Sequence, residues 1–132
     1  MNDYERKVQD FHAAVGAAID LPFSAELLQL RKTLIAEEVK ELFAEFDRAM
    51  DELKAQGQVS AKTRRDMMKE IADVQYVLSG SSVSFGMPID TVFDRVHDSN
   101  LSKFGADGKP LLREDGKVLK GPNYHPPILD DL

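Results

Sequence analysis

The chain has no cysteine and no tryptophan among its 132 residues. Without cysteine there is neither a disulfide framework nor a thiolate metal ligand, so any metal site must be built from carboxylates, imidazoles or backbone oxygens. The same absence fits a reducing compartment, and the expected location is the cytoplasm. Only three histidines are present, His12, His97 and His125, and none has a partner at the HExxH spacing of zinc hydrolases. No apolar run approaches the ~20 residues needed to span a membrane. The first residues, Met1-Asn2-Asp3-Tyr4-Glu5, lack the basic and apolar regions of a signal peptide. Basic charge is in deficit: 17 Lys and Arg against 23 Asp and Glu leave a net charge of −6. That disfavours a general nucleic-acid or anionic-membrane binder. A phosphorylated small molecule stays open, because a bound cation can supply the missing positive charge.

What is present reads as one all-α domain over residues 1–132, with a helical core over about 3–104 and an irregular tail over about 105–132. Tyr4, Val8, Phe11, Val15 and Ile19 recur at steps of three or four and predict a helix over 3–19. Pro22 breaks it. Ser24 is placed to cap a long second helix running to about Ala55, with Gly57 as its C-cap. Leu28, Ile35, Val39, Leu42, Phe43, Phe46, Met50 and Leu53 form its apolar sector. Ser60 caps a third helix over 61–85, ended by Gly86, and the short connection favours antiparallel packing of helices two and three. Pro88 suits the first turn of a fourth helix. Beyond Gly105, two Asp-Gly-Lys turns frame a small hairpin of 111–113 with 118–119.

Helices two and three each carry two acids three residues apart: Glu38 with Glu41, and Glu70 with Asp73. Residues three apart share a helix face, so each pair is a two-carboxylate claw beside the apolar sector. Two such claws facing each other crowd negative charge, and a hard divalent cation with oxygen ligands is the usual answer. The plainer alternative is a solvated acidic face. Lys40 and Lys69 are read as pointing away from the acids.

Glu37-Glu38-x-x-Glu41 followed by Glu70-x-x-Asp73 resembles the paired acidic motifs of the all-α nucleoside triphosphate pyrophosphohydrolases. Asp10-Phe11-His12, the stretch from Arg31 to Glu41, Phe85-Gly86 and Val96-His97-x-x-Asn100-x-x-Lys103 look like the MazG-like, dUTP-hydrolysing branch. Asp107-Gly108-Lys109 and Lys120-Gly121-Pro122-Asn123-Tyr124 resemble a tail found in bacterial and phage members. The resemblance implies a four-helix bundle-type fold and Mg²⁺-dependent cleavage between the α- and β-phosphates, with Mn²⁺ as a substitute ion. Glu38, Glu41, Glu70 and Asp73 match the metal ligands, and Glu37 matches the acid that handles the attacking water. Asn100 and Lys103 match residues that contact the phosphates. His12 for base or sugar, and Lys120 and Tyr124 from the tail, are further candidates. For His12 the competing reading is a packed core residue, and for Lys103 a surface helix end. The resemblance also implies a homodimer or dimer of dimers, the partner's helices completing each substrate pocket. The wide apolar face of helix two, with Phe43, Phe46, Met50 and Leu53 extending late into it, would suit such an interface.

The expected function is therefore removal of dUTP-like or non-standard deoxynucleoside triphosphates. The alternatives are a phosphoribosyl-ATP pyrophosphohydrolase of histidine synthesis, and a non-catalytic acidic bundle that binds divalent cations or a partner protein.

Overall fold

A computed structural model describes all 132 residues, Met1–Leu132. It contains four helices: α1 (Asp3–Val15), α2 (Ala25–Gln56), α3 (Ala61–Phe85) and α4 (Ile89–Leu101). The only extended pairing is an isolated antiparallel bridge between Leu112 and Val118, so the all-α reading holds. The chain divides into two compact units, residues 2–87 and residue 1 with residues 88–132.

In the first unit, α1 ends four residues before the expected Ile19. Gly16 adopts φ 72° and its N–H bonds back to His12 O, a left-handed cap that the apolar spacing does not reveal. The segment after it is tied to the end of α3, where Asp20 N donates to Val83 O (2.9 Å) and Leu21 N to Ser84 O (2.8 Å). Gly86 closes α3 at φ 63°, and a Cβ there would collide with Asp20 Oδ1. That position therefore needs glycine for both its dihedral and its clearance.

The caps on α2 and α3 are the expected ones. Ser24 Oγ accepts from Leu27 N and Ser60 Oγ from Thr63 N, each at 3.1 Å. Glu52, near the end of α2, reinforces the second cap. Its carboxylate accepts from Ser60 N (2.7 Å), Ser60 Oγ (3.3 Å) and Thr63 Oγ1. Ser60→Ala should cost about 1 kcal/mol in urea denaturation. The hydrogen bonds from Thr63 and then Ser60 hold the Glu52 carboxyl below its ordinary value of 4.5. A depressed carboxyl stabilises the fold above that value, and the contribution is lost as pH falls through its folded pKa. Glu52→Gln should therefore flatten the acid limb of a stability–pH curve.

The α2–α3 pairing departs from expectation. Arg31, Glu38, Glu45 and Glu52 are spaced seven apart on α2, as are Thr63, Glu70, Val77 and Ser84 on α3. Seven-residue spacing keeps a stripe facing a partner helix. Arg31 (7% exposed), Glu45 (8%) and Ala49 are the buried residues of α2. The seam is thus largely polar, and the α2 apolar sector lies to its side. Phe43 (61% exposed), Phe46 (46%), Met50 and Leu53 are open to solvent. The expected core face of α2 is instead largely free, and α1 packs on α3.

In the second unit the tail lies along α4. Ser99 Oγ donates to His125 O (2.7 Å), His125 N to Ser102 Oγ (3.1 Å), and Arg95 pairs with Asp131 (2.6 Å). The expected small hairpin around Asp115-Gly116 is present, its Leu112–Val118 bridge flanked by hydrogen bonds from Arg113 N to Lys117 O and from Leu119 N to Leu111 O.

Candidate metal centre

The antiparallel seam fixes which acids meet. Arg31 at one end reaches Val77 on α3, and Arg48 farther along α2 reaches Asp66. Between these anchors, Glu38, Glu41 and Glu70 each offer a carboxylate oxygen, and the three oxygens lie within 4.8 Å of one another. An octahedral Mg²⁺ with bonds of about 2.1 Å separates opposite ligands by about 4.2 Å, so small rotamer changes would close the three on an ion. Oε2 of Glu38 and Oε2 of Glu70 are buried without a hydrogen-bond partner. Buried carboxylate oxygens normally find one. Two orphaned acceptors on residues of the same cluster suit a hard cation, and the donor set of three carboxylates is the chemistry such an ion prefers.

Electrostatics agree with geometry. Burial pushes the Glu38 carboxyl above its ordinary value of 4.5, and repulsion from Glu41, Asp73 and Glu70 adds to the rise. A positive ion would reverse those repulsions.

Asp73, the fourth expected ligand, is not in the close trio. It is near enough for its charge to act on Glu38, but its Oδ2 is held by Lys69 Nζ at 2.7 Å. Lys69 also approaches Glu70 Oε1 at 3.5 Å. The reading of Lys69 as pointing away is therefore wrong. The missed signal was the i,i+4 spacing of Lys69 with Asp73.

Glu37 is exposed and lies outside the trio. It stands one turn before Glu41 on α2, beside a shallow surface pocket it lines with Lys32 and Lys40. Two arginine contacts of the seam escaped the sequence reading. Glu45 pairs with Arg48 at 3.3 Å, and Arg48 bridges to Asp66 at 3.3 Å. Arg31 donates to Val77 O (3.0 Å) and has no carboxylate partner, and burial lowers its pKa. Its guanidinium lies over Gly80, where a Cβ would collide with Nη2. The seven-residue recurrence was the available signal.

His12 is 4% exposed, with ring Nδ1 2.8 Å from Ala18 O and Nε2 beside Gly80. In this conformation it is the packed histidine of the plainer reading. The other four substrate candidates all fall in the second unit. Asn100 lies in the last turn of α4 and Lys103 just beyond it, and Gly121 N donates to Lys103 O at 2.7 Å. Lys120 Nζ sits 4.7 Å from the centre of the Tyr124 ring. A Cβ at Gly121 would strike the carbonyl oxygens of Lys103 and Phe104, so glycine lets the tail press onto the end of α4. Backbone contact thus brings the chain beside Lys120 to Lys103, while Lys120 itself lies over the Tyr124 ring. Within the first unit, a groove of about 330 Å³ lies between α1 and α3, lined in part by Tyr4, Val8, Ala72, Gln75 and Tyr76. Ala72 and Gln75 each follow an acid by two residues, roughly 200° around α3, so the groove faces away from the acid cluster.

The model of the phosphoribosyl-ATP pyrophosphohydrolase family matches residues 8–100, a span that includes both acidic motifs. The chain belongs to that family. It is thus an enzyme of pyrophosphohydrolase type with the MazG-like all-α fold. A search against curated proteins finds no match. Among solved structures, the chain is similar to a protein from Exiguobacterium sp. 255-15 named a candidate NTP pyrophosphohydrolase. The two share 24% identity over 96% of this chain and 89% of that one, with a TM-score of 0.45.

Proposed function

We propose that the chain hydrolyses a nucleoside triphosphate between its α- and β-phosphates, releasing a nucleoside monophosphate and pyrophosphate, and that its substrate is dUTP-like or another non-standard deoxynucleotide. The observation that supports the metal-dependent cleavage is the convergence of Glu38, Glu41 and Glu70, with buried, unpartnered oxygens on Glu38 and Glu70. The dUTP-like preference rests on the resemblance of Asp10-Phe11-His12 and of residues 96–103 to the dUTP-hydrolysing branch. In this reading Glu38, Glu41, Glu70 and Asp73 hold Mg²⁺, with Mn²⁺ as a substitute. When bound, the ion neutralises phosphate charge and favours in-line displacement. Glu37, exposed one turn before Glu41, accepts the proton of the attacking water. Asn100, Lys103, Lys120 and Tyr124 take the substrate, the cations meeting phosphate oxygens and the ring offering a stacking face. His12 contacts base or sugar only if its bond to Ala18 opens. We also propose that the two units act as one domain, in the cytoplasm.

A second reading follows from the family description, phosphoribosyl-ATP pyrophosphohydrolase. The same cluster serves both, since the bond broken is the same. A pyrophosphate-release screen over canonical and modified deoxynucleotides and phosphoribosyl-ATP, with Mg²⁺ and Mn²⁺, separates them. We expect the largest kcat/KM for a dUTP-like compound. A clear preference for phosphoribosyl-ATP supports the second reading, and no release from any compound overturns both.

We further propose a homodimer, or a dimer of such dimers. The support is the exposed α2 face of Phe43, Phe46, Met50 and Leu53, since a contiguous apolar face is costly to leave in water. Light scattering should give at least twice the 14.8 kDa chain mass, and Phe46→Asp should shift it toward the monomer. A stable monomer of the parent chain at micromolar concentration would remove the proposal.

A further inference from the structure

Of the four expected ligands, Glu38, Glu41, Glu70 and Asp73, only the last two are ion-paired, and with the same basic side chain. Lys69 Nζ is 2.7 Å from Asp73 Oδ2 and 3.5 Å from Glu70 Oε1. Its own carbon stem is largely exposed, so the ammonium can swing away without loss of packing. Neither Glu38 nor Glu41 has a basic partner, and two of the cluster's oxygens are buried and unpaired. Lys69 is thus the built-in counter-charge of the cluster. It holds one oxygen, Oδ2, of the one expected ligand that stands outside the trio.

We propose that Lys69 is a place-holder for the divalent cation: it offsets the negative charge of the cluster before the ion enters and competes with the ion for Asp73. The inference rests on the divalent-cation reading of the cluster given above. An ammonium and a divalent ion cannot both take the same carboxylate oxygen at full strength, and the two positive charges repel across a few ångströms. Loading the ion therefore releases Lys69, and triphosphate oxygens are natural new partners for a freed ammonium. The device makes the ion bind more weakly to the protein alone than the same four acids would bind it without the lysine.

Two effects of opposite sign follow from removing Lys69. Without an ion, the acids lose their one counter-charge, so the fold weakens. With an ion, the competitor is gone, so binding tightens. A solvated lysine with no link to the site would give neither effect. A lysine that merely props Asp73 in place would give weaker ion binding.

The test is titration calorimetry of Mn²⁺ against the full chain, with thermal melts of the metal-free proteins. Lys69→Gln should bind Mn²⁺ roughly 3- to 10-fold tighter than the parent, a one-charge effect screened by water, and its metal-free form should melt lower. Lys69→Arg keeps the charge and should stay within about 2-fold of the parent. Saturable binding that Lys69→Gln leaves unchanged or weaker overturns this proposal alone. Absence of saturable Mn²⁺ binding by the parent overturns the cation site and this proposal together.

Discussion

Glu38→Gln should release pyrophosphate about 10³-fold more slowly than the parent chain, the loss expected when a ligand of a charge-neutralising metal is removed. The same variant should be more stable than the parent in the absence of metal. The two effects have one cause. Glu38 is partly desolvated beside three other acids, and burial first and their repulsion second raise its carboxyl pKa. Its folded form then keeps a proton to higher pH than the unfolded chain, whose value is near 4.5. Between those values the folded state binds more protons, so stability falls as pH rises through that window. At neutral pH the ionised carboxylate therefore works against the fold. Glutamine keeps the shape and removes the charge. Metal-free melts against pH should show the parent gaining stability from this group as pH falls toward 4.5, with the gain absent in Glu38→Gln. A variant that is both inactive and less stable would show that Glu38 is only a structural part of the seam.

The second large effect concerns the far end of the seam. Gly80→Ala should destabilise the chain by about 1–3 kcal/mol, the usual cost of overpacking a filled interior. A Cβ at this position collides with the Arg31 guanidinium and comes within 3.3 Å of His12 Nε2. Arg31 cannot yield easily. Its Nη2 donates to Val77 O at 3.0 Å, its Nε approaches Ser81 Oγ at 3.5 Å, and the side chain is buried. In an Arg31→Ala background the same glycine replacement should become neutral or stabilising by up to ~1 kcal/mol, because alanine is the better helix residue once the clash is gone. Urea denaturation of the four proteins measures this as a double-mutant cycle. Additive costs would mean that the guanidinium does not rest on Gly80. Arg31 stands seven residues before Glu38 and Val77 four after Asp73, so this contact also sets the register in which the two claws face each other.

The legibility of the chain was uneven for physical reasons. Caps are local, and Ser24, Gly57, Ser60 and Gly86 announced the ends of α2 and α3 because a hydroxyl or a left-handed glycine acts on its own backbone. The end of α1 was missed at Gly16, where the apolar spacing runs on past a cap. The acidic motifs were legible because i,i+3 spacing fixes a shared face. The packing of α2 was not. Hydrophobicity ordinarily points inward, and here Arg31, Glu45 and Ala49 are buried while Phe43 and Phe46 are exposed. A seam built to gather charge has to hold polar groups, and its seven-residue spacing was visible only to a search for periodic polarity. Lys69 was misplaced because only its neighbour Glu70 was weighed, and Asp73, one turn on, is the acid it holds.

The central claim is that the acids of the α2–α3 seam hold the cation for pyrophosphate release. It is tested most directly by ³¹P NMR of the products from a turned-over deoxynucleoside triphosphate, in Mg²⁺ and again with EDTA. The account predicts monophosphate and pyrophosphate in equal amounts with Mg²⁺, and no turnover in EDTA. Diphosphate with free phosphate, or turnover that survives EDTA, would contradict it.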